Sequence, residues 1–250
     1  MSVYSDLSQR DVLEWALPVI NNGTYRSRLS DGKLERQCFI SQEINWNYIK
    51  PMNPCNCPYW LDVFFMVVTP RSPAGQFMHS RCHRCWKVVV PLKTVAELFV
   101  LEQIQYDMGV PCKCGLDTRS YTSGNYAGFF YCESMAEGIK RLKQVRDMCS
   151  AIDHGIYLKR ACTEMEMVLG RSDKWVVKPE NYRVEKLIDN TFVNDFPLDL
   201  MKPAGLDHCH RGWIQYAYKI GDESYKQFTD GQPLFHPSAR YEEKEEDADS

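Results

Sequence analysis

Long apolar runs are missing from this chain, and their absence excludes a good deal. The longest, Val63–Val68, is strand-sized, whereas a membrane-spanning helix needs roughly 18 uninterrupted apolar residues. Residues Met1 to Asp11 are polar, and no basic segment precedes an apolar core as in a secretory leader. A cytoplasmic protein without membrane association is the expectation. Charge of one sign is scarce as well. A net charge of −3 disfavours a nucleic-acid partner, because phosphate recognition calls for a basic surface. Much of the acidity sits in residues 241–250, where Glu242, Glu243, Glu245, Glu246, Asp247 and Asp249 crowd together. This segment is expected to be a disordered, solvated tail, and it leaves a nearly neutral body on which a local basic patch can exist.

Familiar catalytic signatures are absent too. No P-loop, dinucleotide fingerprint, H-E-x-x-H or G-x-S-x-G occurs. The zinc-deaminase pattern fails because Pro111-Cys112 opens a C-x-C and no H-x-E precedes it. Solenoid-length repeats are missing, and the tail is the one low-complexity region. Gly124 and Gly128 sit among aromatics and read as strand packing rather than a phosphate cradle. Whether the chain is an enzyme, and on what substrate, stays open.

Cysteine is what the chain has in quantity, with eleven in 250 residues and seven of them between Pro54 and Cys132. Cys55 and Cys57 form a C-x-C, Cys82 and Cys85 a C-x-x-C, and Cys112 and Cys114 a second C-x-C. A disulfide inside C-x-C is strained and staples almost nothing. A metal, in contrast, accepts two thiolates from one short turn. Arg81, His83 and Arg84 around the C-x-x-C favour the thiolate form. The predicted ligands are therefore Cys82 and Cys85 with one or both of the pairs Cys55/Cys57 and Cys112/Cys114. Six paired thiols exceed the four of one tetrahedral ion, so the surplus marks either a second site or a spare pair. Zn2+ is the expected metal, and a [4Fe-4S] cluster is the alternative, suggested by the Cys57-Pro58 step. Cys132 reads as a packed residue at a strand end. Cys149 and Cys162 read as small core residues on helix faces rather than nucleophiles. His208-Cys209-His210, if extended, would aim two imidazoles the same way, an incomplete metal set with Asp207.

The hydrophobic fraction of 44% supplies a real core, so folding need not depend on metal. Ser8 caps a helix whose apolar face is Val12, Trp15 and Ala16 and which Pro18 should end. Trp60–Val68 reads as a buried strand and Trp86–Val90 as a β-branched one closed by Pro91. Thr94 and Glu97 make a capping box for a helix reaching about Met108, which Gly109 stops. Tyr126–Tyr131 reads as an aromatic strand, and Ser134 with Glu137 opens another helix. Ile156–Leu158 suggests a brief strand, Arg160–Leu169 a helix ended by Gly170, and Trp213–Ile220 an alternating strand. The prediction is an α+β fold, a mixed sheet with flanking helices and cysteine-rich metal-binding loops (about 53–132) at one end. One domain, 1–240, is expected ahead of the acidic tail. The expected role is a cysteine-rich metal-binding protein whose site is mainly structural and serves protein–protein interaction or assembly, a protein partner meeting aromatics such as Tyr59, Trp60 and Trp86. An iron–sulfur redox protein or enzyme subunit is the alternative. A zinc module contacting nucleic acid is the weaker one.

Overall fold

The computed structural model describes residues 4, 6–37, 45–50, 61–71, 77–193 and 203–235. In chain order these form helix α1 (Gln9–Asn21), strands β1 (Tyr25–Ser27), β2 (Leu34–Arg36) and β3 (Trp46–Lys50), and helix α2 (Ser80–Arg84). Then come β4 (Trp86–Leu92), α3 (Val95–Met108), β5 (Cys112–Leu116), β6 (Tyr126–Cys132), α4 (Met135–Met148) and β7 (Tyr157–Arg160). Helices α5 (Thr163–Leu169), α6 (Pro179–Thr191) and α7 (Pro203–Ile220) follow. The fold is α+β, as the residue pattern predicts.

Its centre is a β-α-β-β-α-β unit running from β4 to β7. The five-stranded sheet has the order β3-β5-β6-β4-β7, with every neighbouring pair antiparallel. Strand β6 lies between β4 and β5, which makes each helical crossover a split β-α-β connection. Local chemistry sets the two crossover helices. The Thr94 hydroxyl accepts from Glu97 N–H at 3.2 Å, and the Glu97 carboxylate accepts from the N–H groups of Lys93 and Thr94. Gly109 then ends α3 in the left-handed region at φ 58°. Ser134 caps α4 in the same way, accepting from Glu137 N–H.

Alternation along the strands separates two faces. Val88, Val90, Cys112, Cys114, Leu116, Tyr126 and Phe130 pack with α3, α4 and α7 in one hydrophobic cluster. Val89, Ala127 and Phe129, with Trp46 and Tyr131, occupy the other face. A separate cluster joins α1, β1, β2, α5 and α6 through Val12, Ala16, Tyr25, Leu34, Met165, Val184 and Ile188.

Several local expectations are corrected. Pro18 does not end α1, which continues to Asn21. Pro18 is exposed, and burial of Val19 holds the final turn to the core. Residues 61–68 are helical with a π-helical turn at Phe64–Val68, because Val63, Phe64, Val67 and Val68 form a buried stripe at helical spacing. Trp213–Ile220 belongs to α7, where Cys209, Trp213 and Ala217 recur every fourth residue and are all buried. Strand β4 runs through Pro91 to Leu92; β7 pairs only as far as Val89, so no β7 ladder is broken there. The cysteine loops at one end of the sheet are not what the described residues show. Cys82 is in α2, while Cys112 and Cys114 lie inside β5. Cys55, Cys57, Tyr59, Trp60 and the acidic tail lie outside the described residues.

Candidate functional site

Helix α6 fixes the C-x-x-C segment. Asn181 Nδ2 donates to the Met78 carbonyl at 2.6 Å, and the Ser80 N–H and hydroxyl both donate to the Glu185 carboxylate. Cys82 and Cys85 bracket one tight turn, with the Cys85 N–H donating to the Cys82 carbonyl at 3.3 Å. Burial, with Arg81 and Arg84 adding to it, pushes the His79 imidazole down to about 3. Its 3.9 Å approach to Glu185 is therefore made by a neutral ring. Burial pushes the Cys85 thiol up to about 12. It does the same for Cys112, and it holds Cys114 well above the usual thiol range. A bound cation would have to draw off those protons.

The described ligand candidates fall in different cores. Cys82 packs with Phe77, Met78 and α6, whereas Cys112 and Cys114 face α3 and α7. Among the described residues, no three His, Cys, Asp or Glu side chains converge as a metal set. The His208-Cys209-His210 run is helical, so its imidazoles diverge: His208 is exposed. His210 instead bonds Glu102 at 2.7 Å, and Asn47 Nδ2 donates to the same carboxylate oxygen at 2.6 Å. This buried network ties β3, α3 and α7 together.

The face of the sheet turned away from α3 and α4 holds a different constellation. A cavity of about 560 Å³ lies over it, walled by Trp46, Tyr48, Phe129 and Tyr131 and entered by Lys87 and Lys113. That volume is in the range of small-molecule sites. Each side chain is placed by strand alternation. Lys113 sits between Cys112 and Cys114 on β5 and so points opposite to them, and Lys87 points opposite to Trp86 and Val88 on β4. The Lys113 ammonium is 4.2 Å from the Trp46 ring centre and 4.9 Å from that of Tyr48. Trp46 and Phe129 meet with ring centres 5.4 Å apart.

Lys87 is only 6% exposed. Its ammonium lies 4.9 Å from the Phe129 ring centre and 3.7 Å from Cys162 Sγ. Burial works against its charge, yet the sulfurs of Cys162 and Cys85 and the Glu164 carboxylate outweigh that, and its pKa stands above the ordinary lysine value. Over the cavity, Arg119 grips Asp117 with two bonds of 2.7 and 2.6 Å and reaches Glu164 at 2.7 Å. Burial raises the Glu164 carboxyl, but the Tyr121 hydroxyl and the Arg119 guanidinium prevail and hold it at about 2. Asp62, also in the wall, pairs with Arg36. The cavity's acids are thus engaged by guanidinium groups, while Lys87 rests against a ring face and a thiol.

Sequence reasoning passed over this site, although it left a trace. Lys87 and Lys113 are cations at alternate positions of otherwise apolar strands, and Phe129 and Tyr131 share their face. Cys162, expected as a packed helix-face residue, is the helix-capping position of α5, half-buried and lining the cavity. Among the described residues, no helix is long and apolar enough to cross a membrane. No protein-family model, curated protein or solved structure matches this chain.

Proposed function

We propose that the cavity on the sheet binds a nucleotide, its planar group against the aromatic wall and its phosphate at Lys87. The observation that carries this reading is the buried ammonium of Lys87 in a ring-walled cavity. Within the fold that charge touches a ring face and a thiol and feels the Glu164 carboxylate, which Arg119 engages. An entering phosphate adds a direct anionic partner to the thiol and ring already there, and hydrogen bonds to charged groups contribute about 1.5–3 kcal/mol. Aromatic walls add about 1–3 kcal/mol for each stacked base. Calorimetric titration with the four ribonucleoside 5′-monophosphates tests it. Binding of at least one is expected, weakened about tenfold or more in Lys87→Met, with Lys226→Met, at a partly exposed site outside the cavity, as control. Absence of heat with all four at millimolar concentration, or equal binding by Lys87→Met, refutes the reading.

A second reading places a structural metal, Zn2+ or alternatively a [4Fe-4S] cluster, at Cys82 and Cys85 with further thiolates from Cys55 and Cys57, since Cys112 and Cys114 lie in the other core. The tight turn bracketing Cys82 and Cys85 favours it, because such a turn can present two sulfurs to one ion. In this reading the metal steadies a surface used for assembly with a protein partner.

A further inference from the structure

The nucleotide cavity is continued on its β7 side by a second cavity of about 360 Å³. Lys87, Asp117, Arg119, Tyr121 and Phe129 line both. Strand register explains the continuity. On the face turned from α3 and α4, Lys113 stands opposite Phe129, Phe129 opposite Val89, and Val89 opposite Tyr157. One step along the strands, Tyr131 stands opposite Lys87 and Lys87 opposite Lys159. Rings and ammonium groups are therefore interleaved across four neighbouring strands, a row of roughly 14 Å at the usual strand spacing. Tyr157 and Lys159 line the second cavity and not the one assigned above to a nucleotide. Tyr157, on the edge strand β7, is 46% exposed and offers a second ring face. Lys87 is the lysine that lines both cavities.

Resting on the nucleotide reading, we propose that this face takes a single-stranded polynucleotide laid across the strands. One base enters the Trp46-walled cavity, the next stacks on Tyr157, and the phosphate between them meets Lys87. The strand is single because both ring contacts need unstacked bases, which a duplex withholds. The net charge of −3 does not oppose this, since the acidic tail carries much of it and Lys87, Lys113 and Lys159 all belong to this face.

Fluorescence anisotropy with labelled single-stranded hexanucleotides of mixed sequence, beside calorimetry with the mononucleotides and competition by a blunt hairpin duplex, tests the proposal. The hexamers are expected to bind at least about tenfold more tightly than a mononucleotide, with affinity falling as salt rises. Tyr157→Ala, a substitution at an exposed site, should weaken hexamer binding about tenfold and leave mononucleotide binding unchanged. Lys87→Met should weaken both. Hexamers binding no more tightly than mononucleotides, or a duplex competing as well as a single strand, overturns the strand proposal while leaving the nucleotide reading intact. If neither ligand binds, both fall.

Discussion

Glu164 shows how much rests on single residues over the cavity. Its carboxyl stands at about 2 in the fold against 4.5 for an unperturbed glutamate. A depressed folded-state pKa means stability that is fully present above pH 4.5 and lost as pH falls toward 2. Glu164→Gln should flatten the acid limb of thermal stability in that window, by an amount on the order of 3 kcal/mol at neutral pH, measured as the melting temperature against pH. An acid limb unchanged by the substitution would show that Arg119 does not hold this carboxylate in solution. Asp117 is two residues from Arg119, but Glu164 is 45 residues away, and nothing about that spacing announces a shared grip. Lys87 was more legible, since a lysine inside a β-branched strand has to emerge on one face.

At the scale of elements, the approach of α3 to β6 is set by a glycine. A Cβ placed on Gly128 would lie 2.2 Å from Leu101 Cδ2 and 3.1 Å from Gln105 Nε2. Gly128→Ala is expected to destabilise the protein by about 1–3 kcal/mol, because the leucine must leave its place in a filled core. Denaturant unfolding measures it, and a Leu101→Ala second substitution should restore part of the Gly128→Ala loss if the clash is the cause. Thr94→Ala, which removes one half of the α3 capping box, should lower stability by about 1 kcal/mol in the same assay. Helices α3 and α4 were readable because their caps and stops are local: Thr94, Glu97 and Gly109 settle one, Ser134 and Glu137 the other. Residues 61–68 and α7 were misread because apolar runs with helical and extended spacings coincide over a few residues. Only the neighbours that Val67 or Trp213 pack against distinguish the two.

Over the whole molecule, the clusters divide the cysteines. The metal reading expects purified protein to carry one or two zinc ions per chain, or, for the iron–sulfur alternative, iron with acid-labile sulfide and a brown colour. Elemental analysis of protein prepared without oxygen, repeated on Cys82→Ser and Cys85→Ser, checks it. Metal-free wild type, or unchanged metal content in both variants, sinks that reading. The nucleotide reading is untouched by either outcome, since Lys87 meets Phe129 and Cys162, and neither is among the proposed metal ligands.

The amino-acid order alone determined the α+β class, the caps and ends of the crossover helices, and the extended character of β4 and β6. Each of these is a property of neighbours within a few residues. The Cys112–Cys114 segment, in contrast, expected as a loop, is strand β5. Only the tertiary structure decided that β6 inserts between β4 and β5, that Cys112 and Cys114 turn toward α3 and α7, and that Trp46, Lys113, Phe129, Lys87 and Tyr157 share one face of the sheet. Strand order and register bring together residues more than a hundred positions apart, and those pairings are chosen by burial over the whole sheet rather than by any local spacing.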